Sequence, residues 1–107
     1  MAYEQNAAIN TSITVGATSI TVSPARDRKM VYLRNTSTAA QVITLALDNM
    51  NPAVALKGLV LAPGEFFLDS VSEGYKPWNG DIKAIASAAG ATLALQEQPI
   101  GDTLYGS

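Results

Sequence analysis

The chain contains no cysteine and no histidine among its 107 residues. The absence of cysteine excludes disulfides, thiolate nucleophiles and zinc sites built on sulfur. The absence of histidine removes the commonest metal ligand and the side chain that most readily exchanges protons near neutral pH. Few routes to catalysis remain, so we predict a protein that is not an enzyme and that holds no cofactor and no metal.

Charge is scarce as well. Charged residues make up 15% of the chain and hydrophobic residues 48%, whereas an average soluble domain is about 25% charged. We therefore expect part of the surface to be apolar and to contact a partner protein. The formal net charge of −2 provides no basic face for phosphates, so we expect no nucleic-acid partner.

The basic residues do not form a long run. Arg26, Arg28 and Lys29 cluster, and Asp27 interrupts them. Such a cluster is either an anion-binding patch or a turn whose charges are solvated, and the intervening carboxylate favours the solvated turn.

No apolar run reaches the roughly 20 residues of a membrane helix, and the first six residues lack the pattern of a signal peptide. We expect a soluble protein without a membrane partner. The length allows one hydrophobic core. The predicted organisation is an N-terminal arm over residues 1–6, a β-domain over 7–98 and a C-terminal tail over 99–107.

Alternation of apolar and polar residues with a period of two is the dominant pattern. Turn residues separate the alternating segments, notably Pro63-Gly64, which suits a type II turn. Residues 16–18 are predicted to close a hairpin, and residues 53–56 allow a single helical turn. The predicted strands cover residues 9–15, 19–22, 29–35, 41–47, 58–61, 65–70, 81–87 and 92–97.

Eight short antiparallel strands without a helical period predict an all-β fold, a single β-sandwich of the jelly-roll type, with an open barrel as the alternative. Residues 41–47 are apolar on nearly both faces. The outer face of that strand must be covered by a loop or by a neighbouring subunit.

Possible chemistry is limited to oxygen ligands and acid pairs. Glu65, Asp69, Glu73 and Asp81 lie near turns, where two of them could form a hydrolytic pair but where acids are ordinarily solvated. A calcium site around Asp48-Asn49 and Asn51 lacks the spacing of known calcium loops.

Aromatic residues mark the candidate interaction sites. Tyr75 and Trp78, the only tryptophan, share one loop and could plug the core, contact a subunit or stack on a sugar ring. Tyr3, Leu104 and Tyr105 place apolar side chains in otherwise polar ends of the chain. These ends either fray or act as arms that dock on a neighbouring subunit.

Three stretches carry a resemblance to a known group of proteins. They are residues 31–37 (VYLRNTS), 61–65 (LAPGE) and 75–80 (YKPWNG), the last continuing into 82–87 (IKAIAS) and 89–94 (AGATLA). In order and spacing they are similar to small virion proteins of tailed bacteriophages, in particular head decoration or cement proteins and related head-fibre domains.

The resemblance implies a structural protein without a catalytic motif. A cement protein of this kind forms a trimer or a similar homo-oligomer, binds the major capsid protein on the outer surface of the capsid and stabilises the head. It would be assembled in the host cytoplasm. The alternative is a carbohydrate- or receptor-binding β-sandwich module of a phage fibre or tail, with Tyr75 and Trp78 at its site.

Overall fold

The computed structural model describes residues 8–72 and 76–100, and these form eight β-strands. The strand ends differ from the predicted ones by at most two residues. No helix in the described part of the chain is long and apolar enough to cross a membrane. The strands are β1 (Ile9–Val15), β2 (Ile20–Ser23), β3 (Arg28–Asn35), β4 (Ile43–Leu47), β5 (Leu59–Leu61), β6 (Phe66–Ser70), β7 (Ile82–Ala86) and β8 (Ala91–Pro99).

The strands form two four-stranded sheets with the orders β1-β8-β3-β6 and β2-β7-β4-β5. The antiparallel pairs β1–β8, β2–β7, β3–β6 and β4–β5 make the chain one long ribbon whose tip joins β4 to β5. Rolling that ribbon places β3 beside β8 and β4 beside β7. This is the strand order of a jelly roll, and it confirms the predicted all-β sandwich.

The core lies between the two sheets and follows the predicted alternation. In β7, Ile82, Ala84 and Ala86 are buried, and in β3 Val31 and Leu33 are fully buried. Successive side chains of a strand point to opposite faces, so each strand supplies every second residue to the core. The hydrophobic effect of this burial is what holds the two sheets together.

The predicted hairpin between β1 and β2 is wrong, because the two strands lie in different sheets. The turn at residues 16–18 crosses from one sheet to the other, and the Ala86 amide donates a hydrogen bond of 2.8 Å to the carbonyl of Gly16. Val15 and Val22 are both buried as a result. A crossing between the sheets lets both strands bury their apolar residues in the same core.

One turn precedes β5 and another follows it. The Pro63-Gly64 turn is confirmed: Gly64 has a φ of 88° and the Glu65 amide donates to the carbonyl of Ala62. The helical turn over residues 53–56 is wrong. Val54 and Lys57 instead form an isolated β-bridge around Leu56, whose φ is 65°.

That tight turn covers the outer face of β4. The amide of Leu56 donates a hydrogen bond of 2.9 Å to Thr44 Oγ1, and Thr44 is buried. β4 itself lies between β7 and β5. The outer face of β4 was expected to be covered by a loop or by a neighbouring subunit, and in the structure a loop covers it. β4 therefore offers little surface to a second subunit.

Candidate functional site

A buried ion pair lies at one end of the sandwich. Arg28 begins β3 and Glu97 lies near the end of β8, and Nε of Arg28 is 2.7 Å from Oε2 of Glu97. Both side chains are fully buried. The predicted solvated turn is therefore wrong for Arg28, because the guanidinium points into the sandwich. Arg26 keeps part of its surface and lies 3.2 Å from the same carboxylate.

All five N–H groups of the Arg28 guanidinium find acceptors. Nε donates to Glu97, Nη1 to the carbonyls of Trp78 and Gly80, and Nη2 to Ser23 Oγ and the carbonyl of Pro24. A guanidinium has five N–H donors and no more. Arg28 therefore has no donor left for an anionic ligand, and its role is to join β2, β3, β8 and the loop before β7.

The carboxylate of Glu97 accepts hydrogen bonds on both of its oxygens. Its Oε1 accepts a hydrogen bond of 2.9 Å from Ser23 Oγ, and its Oε2 accepts from Arg28. A buried charge is tolerated only when it is paired and hydrogen-bonded. The network is therefore a structural clamp, and it leaves Glu97 no lone pair facing solvent for acid–base chemistry.

The clamp fixes the loop that carries Trp78. Besides the bond from Arg28 to its carbonyl, Trp78 donates its backbone N–H to Asp69 Oδ2 at 2.9 Å. Its indole Nε1 donates to the carbonyl of Asp81 at 2.9 Å, and the ring is partly buried against the core. Trp78 thus fills the end of the core. Contact of its remaining surface with a subunit or a sugar stays a prediction.

The other residues predicted to contact partners lie outside the described residues. Tyr3 precedes residue 8, Tyr75 falls between residues 72 and 76, and Leu104 and Tyr105 follow residue 100. Of the five predicted interaction residues, only Trp78 has a described position.

Of the four acids that could have formed a hydrolytic pair, the three that the structure describes each support a turn or a loop. Glu65 Oε1 accepts from the amide of Ala62, Asp69 from that of Trp78, and Asp81 from that of Ala25. Glu73 lies outside the described residues. Carboxylates that accept backbone N–H groups in this way stabilise loops, and the described residues contain no group of three acids able to hold a metal.

The loop considered for calcium is also held by its own backbone. Hydrogen bonds from the amides of Met50 and Asn51, and then from the Asn51 side chain, lower the pKa of Asp48 below its ordinary value. These contacts form an Asx-type turn at the end of β4. A single carboxylate, already bonded to its own loop, is a poor calcium site.

An open groove of about 400 Å³ lies beside the loop that carries Trp78. Trp78, Pro77, Val71 and Ile100 give it apolar walls, and Lys76 with Asn79 adds polar groups. A sugar-binding module would use a groove of this kind, since such sites combine aromatic surface with a few polar groups.

The most exposed apolar surface on a strand face lies elsewhere, on the outer side of β6 and β3. The side chains of Phe66 and Leu68 are 56% and 53% exposed. Tyr32 lies directly opposite Leu68, and its ring centroid is 5.4 Å from that of Phe66. We call Tyr32, Phe66 and Leu68 the apolar stripe. The sequence signal was the alternation over residues 65–70, which separates Phe66 and Leu68 from Phe67 and Asp69.

Comparison of the chain with protein-family models, with curated proteins and with solved structures found no match. The function must therefore be argued from the residues and the fold themselves.

Proposed function

We propose that this chain is a non-enzymatic structural protein of a virus particle, a decoration or cement protein that forms a homo-oligomer and binds the major capsid protein on the outside of the head. The observation that carries the binding role is the apolar stripe. The proposed location on the outside of a capsid rests on the resemblance of residues 31–94 to phage head proteins.

The apolar stripe supports binding because its exposure is costly. Burying apolar surface is worth about 25 cal/mol for each Å² removed from water. Phe66 and Leu68 leave more than half of their surface in water, and they lie on a strand face together with Tyr32. Aromatic and aliphatic side chains grouped in this way are typical of the centre of a protein interface.

The buried clamp supports a role in mechanical reinforcement. Arg28 and Glu97 lie in one sheet, and both bond to Ser23 in β2 of the other sheet. All three side chains are buried. Separation of the sheets at this end would break the bonds of Ser23 to two buried charged groups, and a buried charge is tolerated only when it is paired and hydrogen-bonded. A protein that reinforces a pressurised shell needs this kind of stiffness and needs no reactive group.

Labelling of virus particles tests the proposal. Particles of the virus that encodes the chain are purified and treated with an antibody raised against the full chain, and the label is located by negative-stain electron microscopy. We expect label over the head surface and a copy number comparable to that of the major capsid protein by quantitative mass spectrometry. Absence of the chain from purified particles would refute the proposal.

The groove beside Trp78 favours a second candidate, a carbohydrate- or receptor-binding module of a fibre or tail. Because Trp78 is the only tryptophan, its fluorescence reports on this groove alone. Quenching of this fluorescence by a member of a glycan panel, together with antibody label on tails, would favour this candidate. Unchanged fluorescence across the panel would count against it.

A further inference from the structure

β6 is an edge strand whose outer side has no partner among the described residues. Two backbone hydrogen bonds show which residues of β6 face β3. The backbone N–H of Asn35 donates to the carbonyl of Glu65, and the backbone N–H of Val71 donates to the carbonyl of Lys29. In an antiparallel pair, hydrogen-bonded and non-hydrogen-bonded residues alternate. The odd-numbered residues of β6 therefore bond to β3, and Phe66, Leu68 and Ser70 direct their N–H and C=O groups away from the sheet.

β6 also lacks most of the features by which edge strands avoid pairing. Such strands are ordinarily very short, bulged, interrupted by lysine or proline, or provided with an inward-pointing charge. β6 contains neither residue, and its register with β3 runs without a shift from Met30↔Ser70 to Arg34↔Phe66. Its one protective feature is Asp69, an inward-facing charge whose carboxylate accepts the N–H of Trp78 within the same chain.

The other three edge strands of the described sandwich differ from β6. β5 is only three residues long, and β2 has a register shift between Thr21 and Ser23. β1 presents Asn10, Ser12 and Thr14 to solvent. An apolar outer face and a backbone edge with little protection thus coincide on β6.

We propose that β6 pairs in antiparallel fashion with β6 of a second copy of this chain, across a two-fold axis at Leu68, so that two four-stranded sheets become one eight-stranded sheet. This inference rests on the self-association included in the proposed function, and it is independent of capsid binding. It specifies a dimeric contact, where the resemblance implies a trimer or similar oligomer.

The pleat of the strand selects this register. Residues opposite each other must lie on the same face of the sheet, so Leu68 faces Leu68 of the second copy and Phe66 faces its Ser70. Each of these pairs exchanges two hydrogen bonds through groups that have no partner within the described chain. A shift of this register by two residues in one direction would place the Asp69 carboxylates of the two copies opposite each other. A shift by two residues in the other direction would leave Ser70 without a partner on the second β6 strand.

The side chains are compatible with a second copy as the occupant. Across the axis, Tyr32 and Leu68 of one copy continue into Leu68 and Tyr32 of the other, which makes an unbroken apolar row. The nearest outward-facing charge is Arg34, opposite Phe66. Strand spacing and rise place the two copies of Arg34 roughly 20 Å apart, beyond the screening length of about 8 Å at physiological salt. Among the residues that the structure describes, no like charges meet at the contact.

The test uses the full chain and sedimentation velocity over a range of concentrations. We expect a dimer, or an even-numbered assembly of dimers, that Leu68→Pro dissociates with at least a tenfold rise in the dissociation constant. The N–H of Leu68 points away from β3, so proline removes no bond within the sandwich, and the far-UV circular dichroism should remain unchanged.

Two further variants keep the test decisive. Leu68→Lys places two ammonium groups face to face at the axis and should dissociate the dimer even if the proline variant misfolds. Met50→Lys, at a loop side chain that is 85% exposed, adds the same charge elsewhere and should leave the mass unchanged.

Three results would overturn the inference: a wild-type monomer at all concentrations, a trimer, or a dimer that folded Leu68→Lys leaves intact. None of them bears on the particle labelling. If the antibody labels heads but the chain is monomeric in solution, the proposed capsid role stands and the β6 contact is rejected. If the chain forms the β6 dimer but is absent from particles, the β6 contact stands and the capsid role is rejected.

Discussion

Arg28 and Glu97 are 69 positions apart in the chain, yet their side chains meet at 2.7 Å in the interior with no exposed surface. The contact joins the start of β3 to the end of β8. Three backbone carbonyls and Ser23 complete the guanidinium's partners. The carbonyls of Trp78 and Gly80 are among them, so this single pair connects the sandwich to the loop at the end of its core.

Glu97→Gln should destabilise the protein strongly, because it leaves the Arg28 charge buried without a counter-charge. Removal of one partner of a buried pair costs about 3–5 kcal/mol. Thermal and urea unfolding measure the change. Gln96→Ala, at the exposed neighbouring position, is the matched control and should change stability by less than about 0.5 kcal/mol.

The combination with Arg28→Met tests the pairing directly. Because the double variant leaves neither charge unpaired, its loss should be clearly smaller than the sum of the two single losses. If the losses in the free energy of unfolding were additive, the two side chains would be stabilised by other groups and not by each other.

Gly58→Ala should lose about 2 kcal/mol or more of stability. Gly58 has a φ of 136°, and a Cβ atom there would lie 2.5 Å from the carbonyl oxygen of Leu45. Backbone strain of this kind costs about 1–3 kcal/mol before the steric overlap is added. Gly16→Ala is the control, since nothing lies within 4 Å of its added Cβ, and equal losses in the two variants would contradict this account of the turn over β4.

Asp48 should titrate below its ordinary pKa of 3.8, because the amides of Met50 and Asn51 bind its charged form. A carboxyl whose pKa is lower in the folded state stabilises the fold above its unfolded pKa, and this contribution is lost as the pH falls through the folded pKa. Carboxyl carbon shifts in NMR follow the titration. Asn51→Ala should bring the pKa partly back towards 3.8, and an unchanged midpoint would contradict the assignment.

The strands were predictable from the sequence because alternation over residues such as 81–87 is a local signal. The pairing of the strands was not. The turn chemistry at Gly16 permits a hairpin or a crossing between sheets, and only the shared burial of Val15 and Val22 decides between them. In the same way, alternation separates Phe66 from Phe67 without showing which face the opposite sheet covers.

The buried clamp was missed for a different reason. A basic residue next to Asp27 at the start of a strand and an acid near the end of the last strand each fit a solvated charge. Their proximity depends on the β3–β8 pairing, which places Val31 opposite Glu97. No local pattern contains that information.

The most direct test of the account is amide hydrogen exchange of Leu68, measured by NMR on the wild-type chain at concentrations where it self-associates. The Leu68 N–H faces away from β3, and residues 8–72 and 76–100 of the same copy provide no acceptor for it. The account predicts that Leu68 exchanges as slowly as Leu33 in β3 and becomes fast on dilution. Exchange of Leu68 at the rate of an unprotected peptide in the concentrated protein, while Leu33 stays protected, would contradict it.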